Sequence, residues 1–315
     1  MSYESERRRF LKGALACSLA AGGLKLLEGS PAGFVSEAWA ADAAKPIISV
    51  AKNGTPEAMT RATVMALGGM SKFVKRGEVV VVKPNIGWDR TPELAANTNP
   101  DVVKTVVKMC LEAGAKKVRV MDGPCNDPRR CYKRSGIKDA VESLNNPAAT
   151  IEHLDERKYV DMPIKKGTTL KSWTFYKDIF DADRLINIPI AKHHNAARLT
   201  MSLKNIMGVL GGNRGNIHHD LDRNIAELNT VMKFDLIVLD AVHILTGNGP
   251  QGGRVQDVKA MNTVIAGTDP VAIDSYGSTL FNITGKDVPH VLYASQMGLG
   301  EIDLKKVKVM RVDLA

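Results

Sequence analysis

The segment "EVVVVKPN" (Glu78 to Asn85) decides the fold class, because its four consecutive valines leave no polar face. A strand that is apolar at every position is typical of a parallel sheet covered on both faces. The helical pattern "DVVKTVVKMCLEAG" (Asp101 to Gly114) follows, and "KKVRVMDG" (Lys116 to Gly123) is the next strand. This alternation predicts an α/β fold with a mostly parallel sheet and helices on both faces.

The same alternation extends along the chain. "RLINIPIAK" (184–192), "FDLIVLDA" (234–241), "NTVIAGT" (262–268) and "KVKVMRV" (306–312) are predicted strands, and "ARLTMSLKNIMGVL" (197–210) and "DPVAIDSYGSTLF" (269–281) are predicted helices. We therefore expect a single α/β domain over residues 41–315. The alternation of strand and helix patterns is interrupted over about 155–235, which predicts an inserted α-rich lobe there.

The N-terminus resembles a twin-arginine export signal. "ERRRFLKG" places Arg7 and Arg8 before an apolar run that is too short and too rich in Gly and Ala to span a bilayer. "AWA" (Ala38 to Ala40) is a small-residue cleavage site. Residues 1–40 are thus predicted to be a signal peptide, with the twin-arginine translocation machinery as partner. The mature chain is expected to be periplasmic or otherwise extracytoplasmic, with no permanent membrane anchor.

Charge and cysteine content narrow the functional classes. The chain has a net charge of +9 and only 5% aromatic residues, without the basic clusters of a nucleic-acid groove, so a small anionic ligand is favoured over nucleic acid. Cys110 lies in an amphipathic helix and is expected to be buried. Cys125 and Cys131 bracket a loop, where a disulfide and metal ligation are both open. The cysteine count excludes a four-cysteine iron–sulfur cluster in the mature chain.

Polar residues stand where the predicted strands end. Because ligands of open α/β sheets bind outside the carboxyl edge, these residues are expected around one crevice. They are Lys83, Asn85, Asp122, Lys192, His193, Asp240 and Asp269. Asp269 also has a structural interpretation, since Asp followed by Pro270 is a helix N-cap pair. The glycine-rich "GNGPQGGR" (Gly247 to Arg254) is predicted to be a loop at the same rim.

Two histidine pairs suggest a metal site. Side chains of adjacent residues diverge, so a site would take one histidine from each pair and a carboxylate as third ligand. His193, His218 and Asp274 are the predicted ligands, and a divalent transition metal is the cofactor they would suit.

The basic residues suggest an anion site instead. On the predicted helix 197–210, Thr200, Lys204 and Gly208 share one face, and Gly208 would leave space beside the ammonium. Together, the cations Lys83, Lys192, Lys204 and Arg214 would hold a phosphate or a carboxylate.

Four motifs resemble those of the domain of unknown function 362 family. They are "VVVKPNIG" (80–87), "ANTNPDVV" (96–103), "KHHNAARLTMSLKNIMG" (192–208) and "AGTDPVAIDSYG" (266–277). The resemblance covers about Ile47 to Leu299 and implies an α/β fold and an association with redox or iron–sulfur contexts. Some relatives carry a ferredoxin-like cysteine module, which this sequence lacks.

The predicted function is that of an exported, metal- or cofactor-dependent, redox-associated enzyme acting on a small anionic substrate. Two alternatives stay open, a non-catalytic periplasmic binding module and an accessory protein that contacts a redox partner protein. The predicted catalytic residues are Lys83, Lys204 and Asp240, and the predicted ligand-binding residues are Asn85, Asn97, Lys192, Thr200, Asn205 and Arg214.

Overall fold

The centre of the fold is a mostly parallel β-sheet with helices on both faces, which confirms the predicted α/β class. The structure, a computed structural model, describes residues 45–315, so the predicted export signal lies outside the described residues. The strands are β1 (Ile47–Lys52), β2 (Val79–Pro84), β3 (Lys117–Val120), β4 (Ala149–Ile151), β5 (Tyr159–Pro163), β6 (Ser172–Tyr176), β7 (Arg184–Ile188), β8 (Ile190–His194), β9 (Arg198–Thr200), β10 (Leu236–Leu245), β11 (Val258–Gly267) and β12 (Lys308–Asp313).

Helices of very different length connect these strands. The α-helices are α1 (Pro56–Ala66), α2 (Pro100–Glu112), α3 (Pro128–Arg134), α4 (Ile137–Glu142), α5 (Asp178–Asp181), α6 (Ser202–Asn205), α7 (Leu221–Asn229), α8 (Pro270–Thr279) and α9 (Pro289–Gln296). Short 3₁₀ helices cover Met70–Lys72, Pro92–Leu94, Glu156–Lys158, Ile206–Val209, Arg214–Asp220, Val255–Asp257, Gly285–Asp287 and Leu304–Lys306.

The main sheet has the strand order β12-β1-β11-β10-β7-β2-β3-β4, and the pair β8–β9 joins it through β10. β2 is parallel to both of its neighbours, β3 and β7, and β10 is parallel to β7. β11 runs antiparallel to β1 and β10, which makes the sheet mixed. The carboxyl ends of β2, β3 and β7 therefore meet at one edge, where open α/β sheets bind ligands.

The valines of β2 show why the sheet is covered on both faces. Val81 packs in the hydrophobic core on one face, whereas Val80 and Val82 pack in the core on the other. Residues of α1, α2 and α4 belong to the core of Val80, and residues of α7, α8 and α9 belong to the core of Val81. Because successive side chains of a strand point to opposite faces, an apolar residue is needed at each position.

Four of the described helices, α1, α2, α3 and α8, begin with a capping side chain followed by proline. The side chain of Asn99 accepts a hydrogen bond from the Asp101 amide (2.9 Å) at the start of α2. At the start of α8, Asp269 accepts one from the Ala272 amide (2.8 Å), which confirms the predicted cap.

Residues 184–210 differ from the prediction. The single strand over 184–192 is two strands, β7 and β8, which are separated by Pro189. The single helix over 197–210 is also wrong, because this segment forms β9, the one-turn helix α6 and a 3₁₀ turn. The carboxylate of Asp274 accepts hydrogen bonds from the amides of Ser202 (2.8 Å) and Leu203 (3.0 Å), and these bonds fix the helix start at Ser202.

The predicted inserted lobe over about 155–235 is not a separate body. β7 lies within the main sheet between β10 and β2, and β5 and β6 alone of this segment's strands form a sheet of their own. The described residues belong to one compact unit. No helix in residues 45–315 has the length and apolarity needed to cross a membrane.

Candidate functional site

A basic pocket of about 410 Å³ opens where the carboxyl ends of β2 and β3 meet the β8–β9 ribbon. Four cations line it: Lys83 at the end of β2, Lys192 on β8, Lys204 on α6, and Arg214 at the start of a 3₁₀ helix. The carboxylate of Asp122, directly after β3, lines it too. The structure thus brings together the four cations that the sequence suggested for an anion site.

Lys83 and Asp122 form a buried ion pair. Lys83 Nζ lies 2.6 Å from Asp122 Oδ1, and both side chains are only 2% exposed. The second carboxylate oxygen accepts a hydrogen bond from the Ile86 amide (2.6 Å), and Lys83 Nζ also donates to the Pro84 carbonyl (2.9 Å). Burial lowers the pKa of Lys83, and the charge of Asp122 opposes that shift. Each charge therefore has its own counter-charge within the fold.

The backbone at Gly208 packs directly against this ion pair. A Cβ at position 208 would lie 1.7 Å from Asp122 Oδ1 and 2.8 Å from Lys83 Nζ. A Cβ at Gly123 would lie 2.5 Å from the Gly208 carbonyl oxygen. The space predicted beside the ammonium of Lys204 is thus filled by the Lys83 pair, and only glycine fits at position 208.

Lys192 is buried without a carboxylate. Its Nζ donates to Asn85 Oδ1 (3.0 Å) and to the Ala96 carbonyl (2.5 Å), and its side chain is 1% exposed. Burial lowers the pKa of Lys192 to about 7, with a smaller contribution from the charge of Lys204. Near neutral pH this group therefore exchanges between its charged and neutral forms.

Lys204 has still weaker partners. The hydrogen bond that the structure shows for its Nζ goes to the thioether sulfur of Met207 (3.0 Å), which is a weak acceptor. The side chain is 7% exposed, and burial lowers the pKa of Lys204 to about 8.

Arg214 is held by backbone carbonyl oxygens. Its Nη1 donates to the carbonyl of Gly123 (2.9 Å), and its Nη2 donates to that of Pro124 (3.0 Å). Among residues 45–315, no aspartate or glutamate forms an ion pair with Arg214, Lys192 or Lys204. The basic pocket thus contains three cations that form no ion pair within the described chain.

Strand alternation decides which histidine of the first pair faces the pocket. Lys192 and His194 lie on one face of β8, and His193 lies on the other. Lys192 pairs across the ribbon with Thr200, and Lys192, His194 and Thr200 all line the pocket. His193 Nδ1 instead accepts a hydrogen bond from the Gly249 amide (3.1 Å), which ties it to the predicted rim loop.

The two polar groups on this ribbon are available to a ligand in different ways. His194 Nδ1 accepts hydrogen bonds from the amides of Ala196 (3.2 Å) and Ala197 (3.1 Å), so the ring is neutral with its proton on Nε2. Burial lowers the pKa of His194 to about 2, helped by the charge of Lys204. Thr200 Oγ1 is buried and has no hydrogen-bond partner among the described residues.

Three asparagines form the support behind the lysines. Asn85 Nδ2 donates to Asn205 Oδ1 (2.8 Å), and Asn205 Nδ2 donates to Asn187 Oδ1 (2.8 Å). Asn187 Nδ2 in turn donates to the Ser202 carbonyl at the start of α6 (3.0 Å). Since Asn85 also accepts from Lys192, this chain of amides connects β2, β7, β8 and α6.

Of the predicted catalytic and ligand-binding residues, Asp240 and Asn97 lie outside the pocket. Asp240 accepts hydrogen bonds from the amides of Asn99 (2.7 Å) and Val242 (3.0 Å), and its burial raises its pKa to about 6. β10 continues to Leu245, so Asp240 lies within the strand instead of at its end. Asn97 uses its amide to hold the backbone of Trp88, accepting from its nitrogen (3.0 Å) and donating to its carbonyl (2.9 Å).

The predicted metal ligands are not brought together. His218 lines the pocket, His193 faces the rim loop, and Asp274 holds the start of α6. Asp274 accepts from both the amide and the hydroxyl of Ser202, and its burial raises its pKa to about 6. Within residues 45–315, no group of three or more His, Cys, Asp or Glu side chains is arranged to hold a metal ion.

The two loop cysteines are free thiols in the structure, so the disulfide considered from the sequence is not formed. Cys125 is exposed and lines the basic pocket, whereas Cys131 is buried in α3. Burial raises the pKa of Cys131 to about 11, which keeps it protonated and unreactive near neutral pH. Cys110 is buried in α2, as expected.

His194, Trp88 and Cys125 are among the pocket residues that the sequence does not predict. His194 was recognisable, because it lies two positions after Lys192 on a strand and so shares its face. Trp88 and Cys125 also line the pocket, but both lie in loops after strands, whose course no periodicity predicts.

The chain is similar to proteins of one family in particular. The profile of the family described as "Domain of unknown function (DUF362)" matches residues 80–279, a range that contains all four cations of the basic pocket. A thylakoid-associated protein of Synechocystis sp. is 27% identical over 254 residues, which cover 78% of this chain and 76% of that relative.

Two solved structures are similar at lower levels. A protein from Thermotoga maritima has a TM-score of 0.43 and 13% identity over 77% of this chain. The lactate racemase apoprotein from Thermoanaerobacterium thermosaccharolyticum has a TM-score of 0.38 and 11% identity over 73% of this chain. The matched regions span 60% and 55% of these two chains, respectively. Neither likeness is close enough to indicate an activity.

Proposed function

We propose that this chain, which belongs to the DUF362 family, binds a small anionic molecule in its basic pocket. The observation that carries the proposal is the presence of Lys192, Lys204 and Arg214 in one pocket with no carboxylate partner among the described residues. Burying an ion without a counter-charge is unfavourable by several kcal/mol. A bound anion would supply the missing negative charge.

The pocket lining favours a carboxylate or phosphate on a short carbon skeleton. Thr200 Oγ1 and the nitrogens of Lys192 and Lys204 supply hydrogen-bond donors for anionic oxygens. Trp88 and Pro250 supply apolar wall on the same pocket. A volume of about 410 Å³ matches a small molecule instead of a polymer segment.

A second candidate, catalysis on the bound anion, is favoured by one observation. The pKa of Lys192 is lowered to about 7 by burial, and a group that titrates near the working pH is suited to proton transfer. A passive binding module has no need of such a group. On this proposal Lys192 moves a proton to or from the bound anion, and Lys83 remains engaged by Asp122.

Calorimetric titration with succinate and with inorganic phosphate tests the binding proposal. Lys204→Met should weaken binding at least tenfold, because it removes a pocket cation. Lys158→Met is the matched control, since Lys158 is half-exposed, pairs with Asp178 (2.9 Å) and lies outside the pocket. A ligand at 100 times its Kd should stabilise the fold by about 2.7 kcal/mol. Absence of stabilisation by any small carboxylate or phosphate would refute the proposal.

We also propose that the chain is exported by the twin-arginine pathway, supported by Arg7 and Arg8 in the N-terminal sequence. Replacing both by lysine should keep a reporter fused after residue 44 on the cytoplasmic side, while the unaltered segment exports it. A redox partner or a bound cofactor, as the family resemblance implies, belongs to the same proposal. The absorption spectrum and metal content of protein matured along its own export route would test it.

A further inference from the structure

The three lysines of the basic pocket differ in what their amino groups contact. Lys83 is engaged by the Asp122 carboxylate, and Lys192 donates to two oxygens, Asn85 Oδ1 and the Ala96 carbonyl. Lys204 Nζ is hydrogen-bonded to the sulfur of Met207 and to no oxygen of the described residues. Of the three amines, Lys204 therefore breaks the weakest hydrogen bonds when its nitrogen turns to a ligand.

We propose that Lys204 is a catalytic residue that forms an imine with a small 2-oxo acid, an inference that rests on the anion site proposed above. A lysine becomes a nucleophile when burial or a neighbouring cation favours its neutral form. Both conditions hold for Lys204, which is 7% exposed and lies in a pocket with Lys192 and Arg214.

In the surroundings of Lys204, one group attracts the anion and another acts as the nucleophile. The guanidinium of Arg214 attracts the carboxylate while Lys204 acts as the nucleophile. Thr200 Oγ1, buried and without a partner among the described residues, is a donor for the carboxylate or for the hydroxyl of the addition intermediate. Burial lowers the pKa of Lys204 to about 8, with Cys125 and Asp222 opposing that shift and Arg214 adding to it.

The step balances without an oxidant or a reductant. The neutral Nζ attacks the carbonyl carbon, a C–N bond forms, and the carbonyl oxygen takes the proton that the nitrogen releases. Loss of this oxygen as water, with the second proton of the nitrogen, leaves a C=N bond. When the imine is protonated it draws electrons from the neighbouring carbon, whose C–H and C–C bonds become easier to break.

Reductive trapping tests the proposal directly on the full chain. The protein is incubated with pyruvate or 2-oxoglutarate and sodium cyanoborohydride, and the modified lysines are identified by peptide mass. The exposed Lys166 serves as internal reference. With a pKa of about 8, Lys204 holds roughly a hundredfold more neutral amine at pH 8 than an exposed lysine. Because two oxygen acceptors hold the nitrogen of Lys192, labelling in the pocket should concentrate on Lys204, and excess succinate should suppress it.

The variants separate the imine from the anion site. Lys204→Arg retains the charge and should still bind succinate, but the pocket adduct should disappear. If Lys204→Arg fails to fold, the pH profile of labelling in the unaltered chain decides, since labelling at Lys204 should rise through pH 8 before that of Lys166. Succinate binding with no preferred labelling of Lys204, or with labelling at Lys192 instead, overturns the imine and leaves the anion site intact. Failure of both binding and labelling removes the proposed function itself.

Discussion

Two regions of this molecule hold their cations in opposite ways. In the cluster around Arg119, the guanidinium contacts Glu152 (2.6 Å) and Asp178 (2.5 Å), and Lys158 contacts Asp178 as well (2.9 Å). Burial alone would raise the pKa of Glu152, but hydrogen bonds from Arg119 and Thr150 lower it to about 2. In the basic pocket, Lys192, Lys204 and Arg214 have no such partners among residues 45–315.

The two regions differ in whether carboxylates of the described chain pair with the cations. A paired cluster satisfies its own charges, so its energy depends little on what is dissolved around it. An unpaired cluster stays at higher free energy until an anion arrives. On the proposed function, the basic pocket therefore trades some stability of the unbound protein for anion affinity, and this exchange can be measured.

The largest effect is expected for the ion pair that the pocket does contain. Asp122→Asn leaves Lys83 buried without its counter-charge, and breaking a buried pair from one side is destabilising by about 3–5 kcal/mol. Urea unfolding measures the change in the free energy of unfolding. A loss below about 1 kcal/mol would mean that Lys83 behaves like the unpaired lysines. The distinction between paired and unpaired cations would then be wrong for Lys83.

Lys204→Met should act in the opposite sense. It removes an unpaired buried charge, so the unbound protein should gain about 1–3 kcal/mol of stability while anion binding is lost. In the other region, Lys158→Met removes one half-exposed ion pair and should lower stability by no more than about 1 kcal/mol. Unfolding curves of both variants, with and without phosphate, show whether the signs differ. Equal signs would contradict the distinction between the regions.

The pH dependence should also separate the regions. The pKa of Lys192 is lowered to about 7 and that of Lys204 to about 8, whereas both titrate near 10.4 in the unfolded chain. Between about pH 7 and pH 10 the unfolded state therefore binds more protons, and stability rises with pH.

Anion affinity should fall over the same range, because the lysines lose their charge. Between pH 7 and pH 9, the unbound protein should gain about 3–4 kcal/mol of stability relative to a variant carrying both Lys192→Met and Lys204→Met. A stability that falls in parallel with the affinity would show that these lysines are charged in the folded protein.

The smallest effect concerns the cysteines beside the pocket. Because Cys125 and Cys131 are free thiols, dithiothreitol should leave the Tm unchanged. Iodoacetamide should modify the exposed Cys125 without denaturant, spare the buried Cys131 and Cys110, and react more slowly when succinate fills the pocket. A Tm that drops on reduction would show that Cys125 and Cys131 form a disulfide in solution.

The sequence predicts the sheet well because its signal is local. A few neighbouring residues are enough to predict an apolar strand such as Val79 to Val82. The same holds for the start of α2, where the cap Asn99 is followed by Pro100. The segment 197–210 is different, since its apolar spacing suits a helix but the carboxylate of Asp274, far along the chain, fixes where the helix begins.

The same reason explains which site residues were predicted. Lys83 and Lys192 are predicted because a charged residue at the end of an apolar strand lies at the edge of the sheet where ligands bind. Lys204 is predicted from the helix 197–210, which the structure does not contain, so its place in the pocket has a different cause. Asp240 was assigned to the rim because the length of β10 depends on pairing with β11, which the sequence does not display. The sequence prediction takes His193 instead of His194 because the two histidines are adjacent and of one type. Only the strand face that His194 shares with Lys192 distinguishes them.

Pro189 separates β7 from β8 and so sets the phase of the ribbon that follows. A strand shifted by a single position turns every side chain to the opposite face. Deleting one residue between Pro189 and Lys192 would therefore move the ammonium and the imidazole of His194 out of the cavity together and turn the intervening imidazole inward. The number of residues between Pro189 and Lys192, more than their identity, therefore decides which side chains of β8 face the basic pocket.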